Sequence, residues 1–221
     1  MICHFPSVPC KLDTMKLTKY EHACFTVEKD NQVLVVDPGN FTTDFISPSN
    51  VVAIAITHEH SDHYDPEQLE AIIAENPEAV IIAHPSITQK IETFQTQPIL
   101  PGDHITIGLF DLAFFGGEHA TIHPDMPPIA NIGVLINDLL YYPGDSFVRP
   151  GVPVDTLALP VGAPWLKIND SIDFLRDINP RFVFPTHDAV LSDIGKNLPD
   201  RIIPGLVPDV TYQRLTAPIE L

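Results

Sequence analysis

Thr57-His58-Glu59-His60-Ser61-Asp62-His63 places three imidazoles and the Asp62 carboxylate between positions 58 and 63, directly after the apolar run Val51-Val52-Ala53-Ile54-Ala55-Ile56. That run is short, rich in β-branched residues and uninterrupted, the pattern of a strand buried on both faces. The ligand-bearing side chains therefore sit at the C-terminal mouth of a buried strand. His58 and His60 alternate, so in an extended segment they point the same way. Asp62 and His63 follow through a turn and can face a second point, which lets one segment serve two metal ions. A structural tetrahedral zinc site draws on cysteine, and this cluster has none; an all-nitrogen-and-oxygen set suits an open, catalytic site.

Outward from the cluster, strand-like and helix-like segments alternate. Before it, Lys16–Tyr20, Cys24–Glu28 and Gln32–Asp37 read as strands, the last two joined across Lys29-Asp30-Asn31 as a hairpin. After it, Asp65-Pro66-Glu67 reads as an N-cap with proline at the first helical position, and Leu69, Ile72 and Ile73 recur at helical spacing. A strand at Ala79–Ala83 and a short helix at Ser86–Phe94 follow, then apolar alternation at Ile105, Ile107, Phe110, Leu112 and Phe114 around Gly108. Ile132–Ile136 and Leu139–Tyr142 form a second hairpin across Asn137-Asp138, Leu157–Val161 is a strand, Asn169 or Asp170 caps a helix, and Arg181–Thr186 is a strand ending at His187. The whole is a β-rich, layered α/β chain.

The 221 residues, 44% of them hydrophobic, suffice for one well-buried domain. Residues 1–14 have no periodicity, and a second methionine, Met15, opens the first strand; they are expected to be a disordered extension, with the domain spanning 15–221. Three cysteines, Cys3, Cys10 and Cys24, have no framework spacing and fit a reducing compartment. Without an apolar run of ~20 residues or an export signal, the chain is expected to be cytoplasmic and to meet no membrane. A formal charge of -17 repels polyanions and disfavours nucleic acid as a partner, while a small anionic substrate stays open if metal ions offset the charge locally. Homo-oligomerisation is left open.

Three further polar residues stand at strand ends: His119 after Phe114-Phe115-Gly116-Gly117, Asp145 after Tyr141-Tyr142-Pro143-Gly144, and His187 after Phe182-Val183-Phe184-Pro185. One such residue is commonplace; three, together with the cluster, point to a shared metal site. The set His58-x-His60-x-Asp62-His63, His119, Asp145 in Gly144-Asp145-Ser146, and His187 resembles the metallo-β-lactamase-fold hydrolase superfamily. Met15-Lys16-Leu17, Glu21-His22-Ala23-Cys24 and Val36-Asp37-Pro38-Gly39 resemble its single-domain members near the ascorbate-phosphate lactonases.

The resemblance implies a four-layer αβ/βα sandwich with two divalent ions, zinc foremost and manganese or iron as alternatives. His58, His60 and His119 would hold one ion, Asp62, His63 and His187 the other, and Asp145 would bridge both. Two such ions about 3.5–4 Å apart share a hydroxide and polarise the scissile group, so no serine or cysteine nucleophile is needed. The implied activity is hydrolysis of a small-molecule phosphodiester, lactone or amide, with Asp62 or Asp145 able to accept the water's proton. Asp37, closing an apolar strand, is placed to accept a free imidazole N–H and fix its tautomer, or is simply a strand-end turn former. His123, Trp165 and Lys167 are candidate substrate contacts: a loop histidine near the mouth, an aromatic wall and a cation. Arg149 offers an anion contact or a surface charge.

Two other activities share the motif. A mononuclear iron sulfur dioxygenase keeps the same histidines, and a nuclease uses the same fold, although the negative charge opposes it. Flavin-linked di-iron relatives carry glutamate at the position of His60 and an added flavin domain, and both are missing here.

Overall fold

The computed structural model describes residues 14–221, so the expectation for the leader, with Cys3 and Cys10, falls outside the described residues except at Thr14. In chain order the elements are β1 (Lys16–Lys19), β2 (Phe25–Lys29), β3 (Gln32–Val36), β4 (Val51–Ile56), α1 (Pro66–Glu75), β5 (Val80–Ala83), α2 (Pro85–Thr88), β6 (Thr96–Pro98), β7 (His104–Ile107), β8 (Phe110–Gly116) and β9 (Ile132–Ile136). They continue with β10 (Leu140–Tyr142), β11 (Thr156–Pro160), α3 (Ile168–Ile178), β12 (Phe182–Thr186), α4 (Asp193–Leu206), β13 (Thr211–Tyr212) and β14 (Ile219–Glu220).

The strands form two seven-stranded sheets, ordered β14-β1-β2-β3-β4-β5-β6 and β13-β12-β11-β10-β9-β8-β7. Their period-two alternation assigns every residue to a layer. Leu34 and Val36 of β3 and Ala53 and Ala55 of β4 face Val134, Ala158 and Phe184 of the second sheet in the central core. Val33, Val35, Ile54 and Ile56 point the other way, onto Leu69, Ile72 and Ile73 of α1. On the far side Tyr141, Leu157, Leu159 and Val183 meet Ile172, Leu175 and Ile203 of α3 and α4. Helix, sheet, sheet, helix is the four-layer αβ/βα sandwich expected.

Local chemistry sets the connections. The turns Asp30-Asn31 and Asn137-Asp138 have positive φ at both residues (43° and 67°, 50° and 52°), the type I′ geometry that matches strand twist and that Asn and Asp tolerate. The Asp65 side chain accepts from Glu67 N and Pro66 occupies the first helical position, so α1 starts directly beyond the motif; such a cap is worth about 1 kcal/mol. In each sheet three neighbouring pairs, β3–β4–β5–β6 and β10–β11–β12–β13, are parallel. Their carboxyl ends, where α/β proteins bind ligands, share one rim.

Three expectations need correcting. The helix foreseen at Ser86–Phe94 is a single turn, Pro85–Thr88, because the chain turns back to lay Thr96–Pro98 beside β5. The N-cap of α3 is Lys167, without a side-chain capping bond, and Asp170 lies in the first turn. The 14-residue α4 is absent from the sequence reading because Pro199 and Pro204, inside it, read as breakers. No helix among the described residues is long and apolar enough to cross a membrane.

Candidate metal centre

All seven side chains marked by the sequence converge at the shared rim. His58 leaves β4 with its backbone bridged to Asn131, before β9; His119 follows β8, Asp145 follows β10 and His187 follows β12. Three groups have ligand atoms all within 4.8 Å of one another: His58, His60 and His119; His22, Asp62, His63 and His187; and His58, His63 and Asp145, which joins the other two.

Hydrogen bonds behind the rings decide which nitrogens face inward. His63 Nδ1 lies 2.6 Å from Asp37 Oδ2, His187 Nδ1 2.6 Å from Gly162 O and His119 Nδ1 2.5 Å from Ala120 O. An acceptor at Nδ1 holds the proton there and leaves the Nε2 lone pair for the centre. Asp37 Oδ1 also accepts from Thr57 N at 2.8 Å, and Oδ2 accepts from Thr57 Oγ1 at 2.7 Å. With its proton on Asp37, the Thr57 hydroxyl can only accept from His58 Nδ1, 3.1 Å away. The Asp37 carboxylate thus sets the tautomers of both His58 and His63.

His58 Nε2 then meets His60 Nδ1 at 3.1 Å with a lone pair of its own. His63 Nε2, His119 Nε2, His187 Nε2 and Asp145 Oδ1 are buried and make no hydrogen bond, although each imidazole Nε2 stands 2.9–3.3 Å from an Asp145 oxygen. Buried polar atoms without partners are costly, and a convergent set of nitrogen and oxygen lone pairs is what a divalent ion coordinates. The donor set fits the metal that the motif implies.

The charges agree. Burial would raise the Asp145 carboxyl, but the imidazoles of His63, His119 and His187 outweigh it and hold its pKa well below the carboxylate range. Asp62 is held low against burial in the same way by His187 and His22. Burial would lower His63, yet the Asp145 and Asp37 charges raise it well above its usual value; His187 is raised to about 9, the carboxylates Asp145 and Asp62 again overcoming burial. The pocket is built for positive charge.

His22, a lone histidine in the sequence, lies within this site. Its ring is fully buried and Nδ1 accepts from Ala189 N at 3.2 Å, so Nε2 carries the hydrogen and donates to Asp62 Oδ2 at 2.9 Å. Burial lowers its pKa to about 4, which keeps it neutral. With its lone pair already used, His22 orients Asp62 and is not itself a ligand. Its carbonyl accepts from His187 N at 3.0 Å and from Lys19 Nζ at 2.6 Å. His22, Asp37 and His187 all have left-handed backbone, with φ of 52°, 45° and 57°.

Asp145 is fixed from its own loop. Its N–H donates to Asn131 Oδ1 at 2.9 Å, and Asn131 Nδ2 donates to Pro143 O at 2.9 Å. Gly144 at φ 62° is obligatory between them, because a Cβ there would stand 2.4 Å from Asn131 Oδ1. Gly39 is equally constrained: its Cβ would lie 2.0 Å from the Asp62 carbonyl. Asn131 gave no sequence signal, being an isolated amide with a partner 14 positions away.

Of the candidate substrate contacts, the structure brings Trp165 to the centre. Its Nε1 donates to Asp145 Oδ2 at 2.9 Å and its ring packs on Phe147 and His119, with centroids 5.4 and 5.9 Å away. His123 is exposed and turned toward Asp125, and Lys167 is exposed at the start of α3. Arg149 is paired with Asp177.

Residues 16–187 match the model of the Beta-lactamase superfamily domain. The chain belongs to that superfamily. Protein Rv0786c of Mycobacterium tuberculosis is 36% identical over 190 residues, 83% of this chain and 89% of that protein. A UPF0173 metal-dependent hydrolase of Carboxydothermus hydrogenoformans is 24% identical over 207 residues, covering 82% and 90% of the two chains. A metallo hydrolase from the archaeon Ignicoccus hospitalis superposes with a TM-score of 0.73 over 94% of this chain and 98% of its own, at 20% identity, and so shares the fold. With the family and the donor set together, this superfamily member is a metal-dependent hydrolase.

Proposed function

We propose that the protein hydrolyses a small molecule at a dinuclear centre, zinc foremost with manganese or iron as alternatives, within one domain spanning residues 15–221 and in the cytoplasm. The observation that carries this reading is the convergence of four buried, unpartnered atoms, His63 Nε2, His119 Nε2, His187 Nε2 and Asp145 Oδ1, from both sheets. His58, His60 and His119 would hold one ion, Asp62, His63 and His187 the second, and Asp145, within reach of both groups, would bridge them. Bound there, the ions supply a water of lowered pKa and Lewis-acid polarisation of the scissile group.

The chain's own residues do the rest. Asp37 and His22 hold the ligands in the tautomers and orientation that coordination needs. Trp165 keeps one Asp145 oxygen in place and walls the site. Asp62, with 18% of its side chain exposed against 3% for Asp145, is the carboxylate through which a proton from the reacting water reaches solvent.

Elemental analysis of protein purified without chelator or affinity metal tests this, beside Asp145→Ala and a panel of phosphodiester, lactone and amide substrates. Two equivalents of zinc or manganese, falling with hydrolysis in the variant, are expected. One equivalent of iron with oxygen uptake and no hydrolysis would replace the reading with a dioxygenase.

A further inference from the structure

The metal ligands His60 and His119 form one wall of a cavity of about 530 Å³, a size that holds drug-sized ligands. Its other walls come from the loop between β8 and β9: Ile122, Pro124, Met126, Pro127, Pro128 and Ile129. The one charged side chain lining it besides those histidines is Glu118, and no described lysine or arginine contributes. Two basic groups of the flanking segments are engaged elsewhere, Lys90 with Glu59 and Arg149 with Asp177.

The chemistry of that lining narrows the substrate. An anionic group placed against that loop would exchange part of its water for apolar walls and approach the like charge of Glu118, with no lysine or arginine among the lining residues. An apolar group gains roughly 25 cal/mol per Å² of surface removed from water. The three prolines also fix their φ angles, so the walls need less ordering on binding.

We propose that this cavity binds an uncharged, apolar portion of the substrate next to the scissile bond, so that the enzyme acts on esters or lactones with neutral alkyl or aryl substituents in preference to the same compounds carrying a remote carboxylate. The inference rests on the hydrolase reading, since the cavity is placed by His60 and His119. In the reaction the water oxygen bonds to the acyl carbon, the acyl C–O bond breaks with its electrons going to the leaving alcohol oxygen, and the water's protons end on that oxygen and in solvent as the carboxylate forms. No oxidant or second substrate enters.

Two measurements test it on the zinc- or manganese-loaded protein. First, kcat/KM is compared for 4-nitrophenyl hexanoate and mono-4-nitrophenyl adipate, which differ by a terminal carboxylate, with bis(4-nitrophenyl) phosphate alongside. The neutral ester is expected to be favoured at least tenfold over the adipate, with Glu118→Lys narrowing that gap, while the phosphodiester reports only whether the centre hydrolyses phosphate esters. Second, binding without turnover is read from the fluorescence of Trp165, the chain's sole tryptophan, which packs against His119. Hexanamide should bind at least tenfold more tightly than 6-amino-6-oxohexanoate, and Met126→Glu, at a half-exposed position, should weaken hexanamide at least fivefold with metal content retained. Equal binding of the two amides, or preference for the adipate, overturns the proposal. Selective hexanamide binding without hydrolysis of any ester or phosphodiester would leave the cavity's preference standing and sink the hydrolase reading.

Discussion

The two ligand groups are supported very differently. The open group is His58, His60 and His119: the last two line the cavity, and His60 is only partly buried, with no hydrogen bond to its ring except the contact with His58. The other group is enclosed at its histidines: His63 is fully buried on Asp37, the buried His187 is held by Gly162 O, and His22 stands behind the partly exposed Asp62. Hydrogen-bonded partners of ligands orient them and strengthen metal binding. The enclosed group should therefore hold its ion more tightly and exchange it more slowly than the open group.

On the dinuclear reading Asp145 serves both groups, and removing it should erase the difference. Asp145→Ala is expected to lose both ions and to lower kcat/KM by ~10³-fold or more, removing a buried charge that the reaction relies on; elemental analysis retaining one full equivalent would mean that Asp145 does not bridge. Asp37→Asn should weaken both ions by ~10- to 100-fold, because that carboxylate orients His63 directly and His58 through Thr57. Thr57→Val should weaken only the open group's ion, and competition with a chromogenic chelator distinguishes the two patterns.

His22→Ala should act on the enclosed ion alone, by about tenfold, with His22→Gln recovering part of the loss through its amide donor. Equal weakening of both ions in that variant would break the contrast. The smallest effect concerns Lys19, which donates to Tyr20 O and His22 O and whose pKa burial lowers to about 8. Its unfolded value is higher, so between pH 8 and 10.5 the unfolded chain binds more protons and stability should rise with pH, by about 1–3 kcal/mol. Lys19→Met should flatten that rise in thermal melts; an unchanged slope would show that another group is responsible.

The candidate ligands of both groups were more legible than the residues that support them. His58, His60, Asp62 and His63 are neighbours in sequence, and His119, Asp145 and His187 each end an apolar strand. The four layers were legible only through the family resemblance, because a strand buried on both faces, such as Val51–Ile56, is apolar at every position and does not show which side chain faces which core. His22 was hidden: its partners, Asp62 and Ala189, lie 40 and 167 positions away, and a lone buried histidine has no local pattern. The strands β6, β13 and β14, with three, two and two residues, are too short to show any period.

The left-handed backbone at His22, Asp37 and His187 bears on how this protein can be changed. A non-glycine residue in that conformation costs roughly 1–2 kcal/mol relative to glycine, and none of the three can become glycine without losing an imidazole or carboxylate of the site. A search guided only by thermal tolerance would rank glycine at these positions among its gains and would select against the chemistry. Improved variants are better sought in the two helix layers, where stability and the site do not compete.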